Sequence, residues 1–136
     1  MPDGTAIIAA CEAEWDAHKS DCSGYLKAVA RRFDITVIGQ ANAIIAALRQ
    51  GWQQALDGPS AAALATAGHF VIGGLEAEPN GHVVIVVPGE LNRGRYPRAY
   101  WGKLGGIGRR NETINWSWNA ADRDRIGYWH SQAPVG

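Results

Sequence analysis

Along the first half of the chain, apolar residues return every third or fourth position. Ile7, Ile8, Cys11 and Trp15 fall on one helical face with Glu12, Asp16 and Lys19 between them, which predicts an amphipathic helix over 5–18. Asp21 is placed to cap a second helix starting at Cys22, with the stripe Tyr25, Leu26, Val29, Ala30 and Phe33. A third stripe, Ala41, Ile44, Ile45, Leu48, Trp52 and Leu56, predicts a helix that stops at Gly58-Pro59. The alanine-rich stretch 60–67 favours one more short helix on propensity alone.

The second half changes period. His69–Leu75 and His82–Val87 are short runs rich in β-branched residues, separated by the turn cluster Pro79-Asn80-Gly81, and Pro88-Gly89 closes the second. Further short strands are expected over 99–103 and 114–118, with the glycine loop 105–108 before the latter and a closing helical turn over 122–129. Helices followed by strands predict an α+β fold, with N-terminal helices packed on a central antiparallel sheet. Neither a repeat nor a linker divides the chain, so residues 1–136 are expected to form a single domain.

Composition narrows the function classes. Thirteen basic residues balance thirteen acidic ones, so the basic excess that a nucleic-acid binder needs to neutralise phosphates is missing. No apolar run has the length of a membrane span, and no membrane insertion is expected. Met1-Pro2-Asp3-Gly4-Thr5 carries no positive charge ahead of an apolar segment, so the expectation is synthesis in the cytoplasm without a cleavable secretory signal. Cys11 and Cys22 are too few for a disulfide framework, although the pair could form one bridge. Nothing points to an obligate oligomer, and a monomer is expected.

The strongest chemical candidate is Cys22, at the head of the second predicted helix in Ser20-Asp21-Cys22-Ser23-Gly24-Tyr25. A thiol there feels the unpaired N–H groups and the positive end of the helix dipole, which favour thiolate. The Cys22 backbone N–H is also a candidate oxyanion donor. Gly24 in the first turn costs about 1 kcal/mol against alanine, a cost that makes sense where another backbone or a substrate passes close by. His82 opens the run Val83–Val87, at a sheet edge that a cleft can reach. An imidazole is what a cysteine nucleophile needs, first to take the thiol proton and then to protonate the leaving amine. Alone, either residue has a bland reading, a packed thiol or a strand-end histidine; together they form a pattern.

The motifs Asp21-Cys22-Ser23-Gly24-Tyr25 and Gly81-His82-Val83-Val84-Ile85 resemble the two signatures of NlpC/P60 papain-like cell-wall peptidases. Ala10-Cys11 through Trp15, Ala41-Asn42-Ala43, Tyr96-Pro97 and Asp122-Arg123-Asp124-Arg125 tighten the resemblance to the type VI secretion amidase effectors of family one. That resemblance implies a papain-like α+β fold with Cys22 as nucleophile and His82 as general base and acid. It implies hydrolysis of the γ-D-glutamyl–meso-diaminopimelate bond of Gram-negative peptidoglycan, without a cofactor or metal. It further implies delivery by type VI secretion on a carrier component into the periplasm of rival cells, and a cognate immunity protein that blocks the cleft. Similar effectors carry a polar or thiol group near the place where this chain has Ala99-Tyr100-Trp101. Here the group that orients His82 is either the Tyr100 hydroxyl or a backbone carbonyl near Ala99.

The remaining features are weighed against plainer roles. Ser23 could touch substrate, while Gln40 and Asn42 read as capping residues near a helix start. Arg93 and Arg95 are candidates for binding stem-peptide carboxylates, against the plainer reading of a solvated basic loop that also includes Arg98. Trp116 and Trp118 are expected on one strand face, mainly as core, and the loop 105–108 as a flexible cleft wall. His18, His69 and His130 lack metal-site spacing, and Cys11 reads as a core thiol. Two alternatives to the amidase stay open: a papain-like deamidase or transglutaminase acting on proteins, and a catalytically inactive cell-wall-binding module of the same fold.

Overall fold

The computed structural model describes residues 4–135; Met1-Pro2-Asp3, part of the N-terminal segment read above, lie outside them. The elements run α1 (Thr5–His18), α2 (Cys22–Arg31), α3 (Ala41–Gly51), β1 (Gln53–Ala55), α4 (Gly58–Thr66), β2 (Val71–Leu75), β3 (His82–Asn92), β4 (Tyr96–Trp101), β5 (Arg109–Thr113) and β6 (Gly127–His130), with 3-10 turns at Ile114–Trp116 and Arg123–Arg125. The strands form one antiparallel sheet in the order β1-β6-β2-β3-β4-β5. The fold is α+β and papain-like, as the periodicities and the resemblance led us to expect.

Period-two alternation along β3 divides the core. Val83, Ile85 and Val87 face α1, α2 and α3, where they pack with Ile7, Cys11, Tyr25, Leu26, Ile44 and Ile45. Val84 and Val86 face the other way, toward Ala61 and Ala65 of α4, Ala99, Trp101, Trp118 and Tyr128. Among the described residues no helix is long and apolar enough to cross a membrane.

Five sequence expectations need correction. The third stripe does not run to Leu56: α3 stops at Gly51, residues 53–55 pair with β6, and Leu56 is 89% exposed. Gly58-Pro59 opens α4 instead of closing α3, because the Asp57 side chain accepts from Ser60 N–H and proline fits a first helical turn, whose N–H groups lack acceptors. β3 continues through Pro88-Gly89 by way of a register shift between Val87 and Asn92, with Gly89 at φ 149°. The expected strand over 114–118 is a 3-10 turn that follows β5, so Trp116 (61% exposed) and the buried Trp118 do not share a strand face. Part of the stretch 122–129 read as a closing helix is β6, which lies between β1 and β2.

Candidate active site

The head of α2 and the first residue of β3 meet. Asp21, in extended conformation, accepts from Gly24 N–H at 3.1 Å and starts α2 with Cys22 as its first residue. Gly24 is explained by that cap: a Cβ there would lie 2.2 Å from Asp21 Oδ2. The close neighbour is the capping carboxylate, in place of the substrate or second backbone expected from sequence. Among the described residues the N–H groups of Cys22 and Ser23 have no acceptor, so both, and not Cys22 alone, are free to receive an oxyanion.

Cys22 Sγ lies 3.1 Å from His82 Nδ1. It also receives the Val83 N–H at 3.3 Å and stands 3.4 Å from Val83 O. The contact is made at the end of the strand, where the ring of a residue in register with the α4 face can reach round to a helix packed on the opposite face. Residues leading into β3 are anchored from α3. Asn42 donates through Nδ2 to Ala77 O (2.8 Å) and accepts through Oδ1 from Ala77 N–H (3.2 Å). A Cβ on Gly81 would fall 2.2 Å from the same Asn42 Oδ1, so Gly81 permits the close approach. Asn42 is thus a clamp on the loop that delivers His82. The capping role expected near here is absent too, since the N-cap residue Gln40 makes no side-chain cap bond.

Burial sets the electrostatics. The Cys22 thiol is pushed up to about 11, chiefly by desolvation and slightly by Asp21, against the lowering effect of the Val83 N–H. The His82 imidazole is pushed down to about 4, by desolvation first and by the Lys103 charge second. Both shifts favour a neutral thiol beside a neutral imidazole. Their direction runs against the thiolate expected from the helix dipole, because burial penalises either charge.

Among the described residues no carboxylate or amide side chain bonds His82. Its ring lies at 5.0 Å and 61° from Trp118 and at 6.4 Å and 90° from Trp101, two edge-type contacts that fix the plane of the imidazole. The two candidates from sequence are corrected here. The Tyr100 hydroxyl donates to Glu12 Oε2 at 2.5 Å within the helix-side core, because its place on β4 turns it away from His82. Ala99 pairs with Val86 in the sheet interior, and among the described residues no bond joins its carbonyl to His82. Sequence gave no signal for Trp101 and Trp118, whose role depends on the register of β4 and on a turn.

An open cleft of about 800 Å³ lies over the pair, lined among others by Ser23, Lys27, Asn42, Asn80, Lys103 and Leu104. The loop that supplies Lys103 and Leu104 to its wall is tied to the α1–α2 turn at both ends: Lys103 N–H and Gly108 N–H both donate to Lys19 O, at 3.1 and 2.9 Å. Ser23 is at the cleft as expected. Arg93 and Arg95 are not: they sit in the β3–β4 turn at the far end of an eleven-residue strand, roughly 30 Å from His82 at about 3.3 Å per residue. Arg95 is ion-paired with Asp124 there. This removes both arginines as substrate ligands at this site. Cys11 is a buried free thiol, as expected of a core position.

No protein-family model matches the chain. The chain is 34% identical over 134 residues to the peptidoglycan amidase Tse1 of Pseudomonas aeruginosa, covering 90% of this chain and 87% of that one.

Proposed function

Because the chain belongs to the family of type VI secretion amidase effectors, we propose that it is a toxin that hydrolyses peptidoglycan stem peptides through a Cys22 acyl-enzyme. The observation that carries this reading is the 3.1 Å contact between Cys22 Sγ and His82 Nδ1 at the floor of an open cleft. The bond cut is the amide from the γ-carboxyl of D-glutamate to meso-diaminopimelate. Cys22 Sγ attacks the amide carbon while His82 Nδ1 takes the thiol proton. The oxyanion is received by the N–H groups of Cys22 and Ser23, which cost no reorganisation because the helix start already points them outward. The C–N bond then breaks, and His82 returns its proton to the diaminopimelate amine. A water deprotonated by His82 hydrolyses the thioester and frees the γ-carboxyl.

A neutral thiol–imidazole pair suits this sequence, since no stable ion pair has to be broken before the proton moves. The family further suggests export by type VI secretion on a carrier component, action in the periplasm of Gram-negative targets, and an immunity protein that plugs the cleft in the producer.

The test is incubation with Gram-negative sacculi and purified muropeptides, wild type beside Cys22→Ala, with fragment masses read out. The expected products are stems ending in D-glutamate and fragments with a free diaminopimelate amine, both absent with Cys22→Ala. Intact stems alongside modified glutamines on proteins would replace this reading with a deamidase. Intact stems with no modification anywhere would leave a binding module.

A further inference from the structure

The cleft holds more positive charge than the catalytic pair needs. Its charged lining residues apart from Cys22 and His82 are Asp21, Lys27 and Lys103. Asp21 is committed to the Gly24 N–H as the helix cap. Among the described residues the side chains of Lys27 and Lys103 have no acid partner, although seven ion pairs link other residues of the chain. Lys27 lies on α2, one turn beyond Ser23 and on the helix that carries the nucleophile. The backbone of Lys103 is fixed by Lys19 O, and the residue also lines a cavity of about 140 Å³ with His82, Trp101, Trp116 and Ser117. One unpaired ammonium thus stands on the nucleophile's element and the other beside the base. The remaining polar lining, including Gln40, Asn42 and Asn80, is uncharged.

We propose that Lys27 and Lys103 read a carboxylate on the acyl side of the scissile amide: the α-carboxylate left free when a glutamyl residue is linked through its γ-carboxyl. The inference rests on the stem-peptide reading above. A γ-linked glutamate carries this anion a few bonds from the carbon that Cys22 attacks, in substrate and acyl-enzyme alike. An α-linked glutamate has no free α-carboxylate, and an α-amidated stem has lost the charge. Two cations at the cleft therefore select γ-glutamyl substrates with a free α-carboxylate and reject amidated ones. The lysine chains are long and point-charged, so they supply charge recognition without the fixed fork of arginine.

The experiment compares two synthetic stem peptides, one with the α-carboxylate of D-glutamate and one with the α-carboxamide. Wild type is measured beside Lys27→Gln/Lys103→Gln and the charge-preserving Lys27→Arg/Lys103→Arg. A charge-assisted hydrogen bond in a partly desolvated cleft corresponds to a preference of about ten- to a hundredfold in kcat/KM for the carboxylate form. That preference should collapse toward unity in the glutamine variant through a raised KM with kcat retained, and return in large part in the arginine variant. It should also shrink with added salt. Equal cleavage of both peptides by wild type, or an unchanged preference in the glutamine variant, overturns the inference while leaving the amidase intact. Cleavage of neither peptide by wild type overturns the stem-peptide reading and this inference with it.

Discussion

Replacing His82 by glutamine and following stability toward acid tests whether burial keeps the folded site from taking up a proton. In the folded protein the imidazole is pushed from 6.5 down to about 4, because burial and then Lys103 oppose its cation. Unfolded, it titrates near its ordinary value. Between about pH 6.5 and pH 4 the unfolded chain therefore binds a proton that the folded chain does not, and stability falls as pH falls. At about 1.4 kcal/mol per pKa unit the shift corresponds to about 3 kcal/mol. The assay is urea unfolding of wild type and His82→Gln at several pH values from 7 to 4. Carboxylates and the other histidines titrate in both proteins and cancel in the difference. Relative to its value at pH 7, the wild-type stability should drop against the variant by about 3 kcal/mol by pH 4. A preformed thiolate–imidazolium pair holds the same number of protons as the neutral pair and gives the same sign. The two are separated by alkylation of Cys22 with a neutral reagent: the neutral thiol reacts faster as pH rises toward about 11, whereas the ion pair is already fast below pH 7. A flat or rising difference would refute the lowered proton uptake of the folded site, and rapid alkylation below pH 7 would refute the neutral pair.

Three further outcomes are expected. Asp21→Asn should keep the α2 cap, and with it the fold, while removing the charge that raises the Cys22 thiol; thiol alkylation at fixed alkaline pH should quicken, whereas Asp21→Ala should also cost about 1 kcal/mol of stability by denaturant titration. Trp118→Ala should lose about 3 kcal/mol from the buried ring and lower kcat by about a hundredfold with KM little changed, while Trp118→Phe, which keeps an aromatic edge at His82, should recover most of the rate. Asn42→Ala should cost about 2 kcal/mol by removing both bonds to Ala77 and should lower kcat as the loop before His82 loosens, read by unfolding and steady-state kinetics on muropeptides.

The helical half was legible because each of α1 and α2 buries a single stripe against one layer, so period and burial coincide. The Cys22 motif was legible for a local reason: a capping aspartate, a helix start and a first-turn glycine all lie within four residues. The polar frame around the catalytic pair was not. Tyr100 is turned to the helix side by strand alternation and bonds Glu12, while Ala99, on the same face of the sheet as Val84 and Val86, lies opposite Val86 four residues along β3 from His82. Arg93 and Arg95 have suitable chemistry at the wrong end of β3. Lys27 and Lys103 look like any solvated lysines until the loop 102–108 is docked on the α1–α2 turn through Lys19 O.

By itself, then, the order of residues determined what depends on near neighbours: the helix periods, the cap at Asp21, the strand that His82 opens, and which thiol and imidazole are the candidate pair. The tertiary structure decided whatever depends on the surroundings. Burial decided which way the thiol and the imidazole are shifted, the meeting of β4 with the 3-10 turn decided that tryptophans flank His82, and the docked loop decided which cations face the cleft. Local backbone preferences act over a few residues, whereas desolvation and side-chain register are set by whichever distant segments come to lie on top.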